Sequence, residues 1–260
     1  MDPRPQDRAP ADRPFVFVNM ISSLDGRAAL DGRSATLGGD ADLQLLLDLR
    51  TRADAVLIGT GTLRAEGYAR LVRSPERRQR RVAAGLAEDP LAVILARRFD
   101  VPWDAGLFQA PEQPVLVYTS ADAGEPPAVP APVEVVRLEV AGLADMLADL
   151  RSRGVRALLS EGGPTMHGAL HAAGVVDELF VTIAPLVTGD GDEPNIVEGG
   201  RLPDAVELEL LSVDRVGSEL FLRYGPRRRG SREPQRWSPA APRGSAPRRP
   251  AACTARGLRS

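Results

Sequence analysis

The chain has 260 residues, 43% of them hydrophobic, and its 33 basic residues are all arginine, so one sizeable core is available and lysine Schiff-base or acid–base chemistry is excluded. The single cysteine, Cys253, gives no basis for disulfides, a thiolate metal site or a buried cysteine nucleophile. The net charge of −2 divides unevenly: residues 226–260 carry ten Arg against one Glu, which leaves −11 for the rest, a poor general nucleic-acid binder.

Residues 1–13 are rich in Pro, Arg and Asp, and they are expected to be disordered, because such a composition cannot offset the entropy of ordering. No signal-peptide order is present there, and no apolar run approaches the roughly 20 residues of a membrane span, so a soluble, cytoplasmic protein is expected. Phe15 to Met20 reads as a short buried strand. Asp40 to Arg52 repeats Leu at helical spacing and starts at an acidic residue able to cap it. Ala55 to Ile58 is a second strand, cut off by Gly59. Ser74 to Asp89 has the charge of a surface helix or insertion.

Further strands are expected at Leu91–Leu95, Val115–Tyr118, Val133–Leu138 and Ala157–Ser160, with helices over about Ala141–Arg153 and Thr165–Ala173. Asp177–Val187, Val206–Val213 and Glu219–Tyr224 follow as strand-like runs without helices between them. Alternating β and α with an antiparallel finish predicts one α/β domain over residues 14–225, a mixed, mostly parallel sheet flanked by helices with right-handed crossovers. Residues 226–260 read as an unstructured, solvated tail.

In such a sheet, ligands collect beyond the C-terminal ends of the parallel strands, which points to three segments. They are Ser22-Ser23-Leu24-Asp25-Gly26-Arg27, Gly59-Thr60-Gly61-Thr62, and Glu161-Gly162-Gly163-Pro164-Thr165. In the last, paired glycines allow close backbone approach, Pro164 suits a first helical turn, and the free N–H groups there favour phosphate. Gly59 to Thr62 is a second such element, and a ligand with separated phosphates could bridge the two.

Glu161 is an acid at the end of an apolar strand, a position that is either paired with an arginine or functional. Asp25 before Gly26 reads first as a turn residue. Arg50, Arg70 and Arg73 could form a second anionic site. His167 and His171 share a helix face at i, i+4 spacing, but without a third histidine or an H-E-x-x-H pattern they read as two partly exposed helix residues, and no metal is expected.

Ser23-Leu24-Asp25-Gly26-Arg27, the segment Ala55 to Glu66, and above all Glu161 to Gly191 resemble the reductase domain of riboflavin biosynthesis, which shares the dihydrofolate reductase fold. The resemblance spans about Phe15 to Tyr224. It implies reduction of 5-amino-6-(5-phosphoribosylamino)uracil by NADPH, with hydride passing to C1′ of the ribose. By similarity, Ser22, Thr36, Gly59, Thr62, Gly162 and the Gly163-Pro164-Thr165-Met166-His167-Gly168-Ala169 turn would line the cofactor. Ser34, Arg50, Glu66, Arg73 and Glu161 would face the small-molecule substrate, with Glu161 as the catalytic residue. Arg97, after the Val93-Ile94-Leu95 strand, would read the cofactor's 2′-phosphate.

The family also implies a homodimer, with its interface expected among the apolar strands after Asp177. Nothing resembles the H-x-E and P-C-x-x-C of the zinc deaminase domain that precedes the reductase in bifunctional enzymes, so deaminase activity is not expected. Two departures bear on substrate: Glu66-Gly67-Tyr68 stands where those enzymes carry Asp-Asp-Pro, and Thr36 replaces an aromatic residue. Reduction of another heterocycle, dihydrofolate foremost, and a non-catalytic nucleotide-binding role are the alternatives.

Overall fold

A computed structural model of the chain describes residues 3–139, 142–202 and 204–227. The apolar runs form strands β1 (Phe15–Ser22), β2 (Ala55–Ile58), β3 (Leu91–Leu95), β4 (Val115–Ser120), β5 (Val133–Leu138), β6 (Ala157–Ser160) and β7 (Glu178–Ile183). These seven are mutually parallel, and the hairpin of β8 (Leu208–Val216) and β9 (Glu219–Pro226) joins antiparallel through β9 against β7. The sheet order is β5-β4-β3-β2-β6-β1-β7-β9-β8.

Because successive side chains alternate, each central strand feeds two cores. Phe15, Phe17, Val56, Ile58 and Leu159 pack on one face, and Val16, Val18, Leu57, Val93 and Leu158 on the other. Helices α1 (Asp40–Arg52), α2 (Thr60–Ala65) and α3 (Pro75–Ala83) lie in connections that move toward the β5 edge. Leu49 of α1 and Leu63 of α2 pack on the first face. Helices α4 (Leu143–Ser152) and α5 (Pro164–Ala172) lie in the returning connections, and their Met146, Leu150 and Leu170 pack on the second. Opposite directions on opposite faces is what a single crossover hand requires.

The N-terminal segment expected to be disordered is instead ordered from residue 3. Pro5–Arg8 forms a 3-10 turn, and buried Gln6 donates from Nε2 to the Arg52 carbonyl at 2.9 Å, closing the C-terminal end of α1. Arg8 pairs with buried Glu178 and lies 4.3 Å from the Phe15 ring centroid, while Arg13 holds Asp177 at 2.5 and 2.9 Å. Isolated polar anchors of this kind leave no periodic trace in a sequence. The tail from residue 228 lies outside the described residues, and β9 runs on to Pro226.

Ser74 to Asp89 is not simply a charged surface segment. The Arg81 side chain of α3 is fully buried, and Nη1 donates to the carbonyls of Arg50 (2.7 Å) and Ala53 (2.6 Å) while Nε reaches Ala87 (2.9 Å). A cation at the C-terminal carbonyls of α1 is favoured by the helix dipole. Asp40 does not cap α1 either: Gly39 is the N-cap, and Glu219 accepts its amide at 2.7 Å.

The two histidines are buried, not partly exposed. His167 Nδ1 meets the Ile196 carbonyl at 2.6 Å, and the two Nε2 atoms are 2.9 Å apart, so His171 donates to His167 when both rings are neutral. The pair pins α5 to the segment around Ile196. Burial pushes His167 down to about 4 and lowers His171 as well.

Two expectations follow from these contacts. Deleting residues 1–13 strips Asp177 of its arginine and uncovers the end of α1, and it should lower the melting temperature by about 4–8 °C; an unchanged melting temperature would restore the view of an idle segment. For the histidines, the unfolded chain takes up protons near pH 6.5 that the folded chain refuses until about pH 4. Stability is therefore complete above about pH 6.5 and lost as pH falls toward 4. Urea unfolding at pH 7.5 and 5.0 should differ by about 2 kcal/mol in the wild type and by clearly less in His167→Gln; equal slopes in the two proteins would contradict this.

Candidate active site

β2 and β6 lie side by side, with Leu57 opposite Ser160, and their outgoing chains part onto opposite faces of the sheet. This is a topological switch point, the place in a parallel sheet where a crevice opens beyond the strand ends. Gly59 leads from β2 into α2, and Glu161-Gly162-Gly163 leads from β6 into α5.

The two glycine turns touch. A Cβ placed on Gly163 would lie 2.8 Å from Thr62 Oγ1, one on Gly162 2.7 Å from Met166 Cγ, and one on Gly59 3.4 Å from the Gly163 nitrogen. Any side chain at Gly162 or Gly163 would force the turns apart. Gly163 caps α5 and Pro164 opens it, so the amides of Thr165 and Met166 have no intrahelical acceptor and donate to none among the described residues. That pair of free amides at the positive end of a nine-residue helix fits a phosphate group.

Beside it sits a buried anion. Glu161 is 7% exposed, and its carboxylate is held bidentate by Arg50, Nε to Oε1 at 2.7 Å and Nη2 to Oε2 at 2.6 Å. Oε2 also accepts from the Tyr68 hydroxyl at 2.7 Å, and the Arg50 guanidinium lies 5.2 Å from the Tyr68 ring centroid. Arg50 Nη1 donates to the Leu71 carbonyl at 3.2 Å, which ties α1 to the segment after α2. The alternatives the sequence offers for Glu161, arginine partner or functional group, thus meet in one place. Burial first, and then the neighbouring carboxylate, push the Tyr68 hydroxyl well above the usual phenol range, so it remains a donor.

The remaining residues named from the sequence fall around this centre in different ways. Ser34 and Glu66 bond to each other, with Oε1 accepting the Ser34 amide (2.6 Å) and hydroxyl (2.8 Å). Ser22 is buried and donates to the Ser23 carbonyl at 2.7 Å, and Thr36 Oγ1 lies 2.7 Å from both the Leu30 and the Arg33 carbonyl, to either of which its one proton can be donated. His167 and Gly168 turn toward the segment 195–198, where a Cβ on Gly168 would overlap the Glu198 carbonyl at 1.9 Å, while Ala169 is exposed. Arg97 and Arg73 are both exposed.

Arg50, Arg70 and Arg73 do not make a common anion site. Arg50 belongs to Glu161, and Arg70 holds Asp89 at 2.5 and 2.8 Å. Asp25 is the turn residue its spacing suggests. It accepts from Ser23 Oγ, the amides of Thr188 and Gly189 and Thr188 Oγ1, and these bonds hold its carboxyl well below the usual carboxylate range. It latches the Ser22–Arg27 loop to the loop after β7. Tyr68 and Arg81 were not assigned roles by sequence reasoning; Tyr68 had a signal in the Glu66-Gly67-Tyr68 departure, and Arg81 had none beyond its charge.

No group of metal-binding side chains occurs among the described residues, and no helix there is long and apolar enough to cross a membrane. Residues 14–222 match the RibD C-terminal domain family. A protein of Archaeoglobus fulgidus named 2,5-diamino-6-ribosylamino-4(3H)-pyrimidinone 5′-phosphate reductase is 32% identical over 210 residues, covering 79% of this chain and 94% of that protein. The riboflavin biosynthesis protein RibD of Mycobacterium tuberculosis is 30% identical over 213 residues, 80% of this chain and 53% of its own. A solved pyrimidine reductase-like protein of Corynebacterium diphtheriae superposes with a TM-score of 0.73 at 25% identity, covering 87% of this chain and 96% of that one. The switch point, the glycine turns and the buried Glu161 therefore sit in a chain that belongs to the RibD C-terminal domain family.

Proposed function

We propose that this protein is an NADPH-dependent reductase of a phosphoribosylaminopyrimidine of riboflavin biosynthesis. Hydride adds to C1′ of the ribosylamino group, the C1′–O4′ bond opens, and O4′ takes up a proton to give the ribitylamino product. The observation that carries this reading is that a fixed buried carboxylate, Glu161, stands in the same turn as a phosphate-ready helix start, Gly163–Pro164, at the switch point between β2 and β6. The nicotinamide cofactor supplies the hydride.

The chain's own residues bind and orient. The Thr165 and Met166 amides, with Gly59, Thr62, Gly162 and Gly163 keeping the approach open, hold phosphate. Ser22 and Thr36 border the cofactor, and Arg97, exposed just beyond the end of β3, reads its 2′-phosphate. Glu161 acts as an anchored acceptor for a donor of the substrate, because its arginine and tyrosine partners keep it in one geometry. Ser34, Glu66 and Arg73 complete the substrate side. The chain works as a homodimer through the β8 edge, whose Leu210, Leu211, Val213 and Val216 are exposed.

The reading is tested by following NADPH oxidation with 5-amino-6-(5-phosphoribosylamino)uracil, with its 2,5-diamino-pyrimidinone counterpart, and with dihydrofolate. Turnover is expected with a phosphoribosylaminopyrimidine and not with dihydrofolate, and the reverse pattern would overturn the proposal. In the same assay Arg97→Ala should raise the KM for NADPH about tenfold and leave that for NADH unchanged.

A further inference from the structure

Glu66-Gly67-Tyr68 follows α2, and the fold gives its two side chains separate tasks. Gly67 has φ +55°, a left-handed conformation that a side chain would strain. That reversal sends Glu66 to Ser34 and Tyr68 to Glu161. The Tyr68 backbone is fixed as well: Gly106 packs against it so closely that a Cβ there would lie 2.6 Å from the Tyr68 carbonyl oxygen.

A carboxylate offers about four acceptor positions. Three on Glu161 are filled: Arg50 Nε on Oε1, and Arg50 Nη2 with the Tyr68 hydroxyl on Oε2. Among the described residues nothing fills the fourth, on Oε1. Without the hydroxyl, Oε2 also has an open position, and the buried anion loses a donor that water cannot readily replace. Resting on the function proposed above, we propose that Tyr68 is a positioning residue for the reduction, its hydroxyl acting through Glu161 to leave Oε1 as the one acceptor for the substrate.

Tyr68→Phe isolates this hydroxyl, since it keeps the ring against Arg50. Steady-state kinetics of wild type, Tyr68→Phe, Glu161→Gln and the double variant are compared, with NADPH binding followed by fluorescence. Tyr68→Phe should lower kcat/KM for the phosphoribosylaminopyrimidine about tenfold and leave the Kd for NADPH within about twofold. In the Glu161→Gln background the same change should be nearly silent, because its effect passes through the carboxylate. Calorimetric binding of the ribitylamino product completes the same cycle where Glu161→Gln has no measurable turnover.

Tyr68→Phe with unchanged kcat/KM beside an active wild type would overturn this inference alone, as would losses that multiply in the double variant. A wild type that reduces neither phosphoribosylaminopyrimidine would overturn the underlying function and this role with it.

Discussion

The structure depends on one topological constraint: β6 enters the sheet between β2 and β1, strands that come about a hundred residues earlier or more. The chain after β2 works outward to the β5 edge on one face, then returns through α4 on the other. When β6 takes its place beside β2, the two connections leave their C-terminal ends in opposite directions, and nothing in the sheet covers the gap. The glycine turns at Gly59 and Gly162–Gly163 are the residues that let the two backbones meet there without a side chain between them.

Into that gap the fold brings a charge pair that stability alone does not call for. Desolvating Glu161 and Arg50 offsets most of their attraction, and well-packed apolar residues would hold the same elements together as firmly. What the pair provides is position. Arg50 is fixed at its backbone by Arg81 and at its side chain by Glu161 and the Leu71 carbonyl, and Tyr68 takes a second position on Oε2, the oxygen that also accepts from Arg50 Nη2. The carboxylate, carried at the end of β6, is thereby held by α1 and by the segment after α2, while α3 braces α1 behind Arg50, a degree of preorganisation suited to recognising a polar donor.

Much of this was legible in the sequence. Short apolar runs bounded by glycine or polar turns located the strands, and Glu161 stood out because an acid seldom closes a buried strand. Strand order was not legible, since parallel strands buried on both faces look alike and any could have neighboured β1. Partnerships across long separations were hidden for the same reason. Glu161 meets Arg50 over 111 residues and Tyr68 over 93, and Arg13 meets Asp177 over 164. Local composition consequently misread the N-terminal segment as disordered, the α3 segment as surface and the histidines as partly exposed, because each is explained by a distant carbonyl or carboxylate, or by burial under the loop at Ile196.

Under the proposed function, the site between β2 and β6 directs hydride from NADPH to C1′ of a phosphoribosylaminopyrimidine. NADPH carrying deuterium at C4 of the nicotinamide, prepared separately with each face labelled, tests it most directly. One of the two labelled cofactors is expected to give a ribitylamino product one mass unit heavier, with the deuterium located at C1′ by NMR. Product without label from both cofactors, or label at any other carbon, would contradict it.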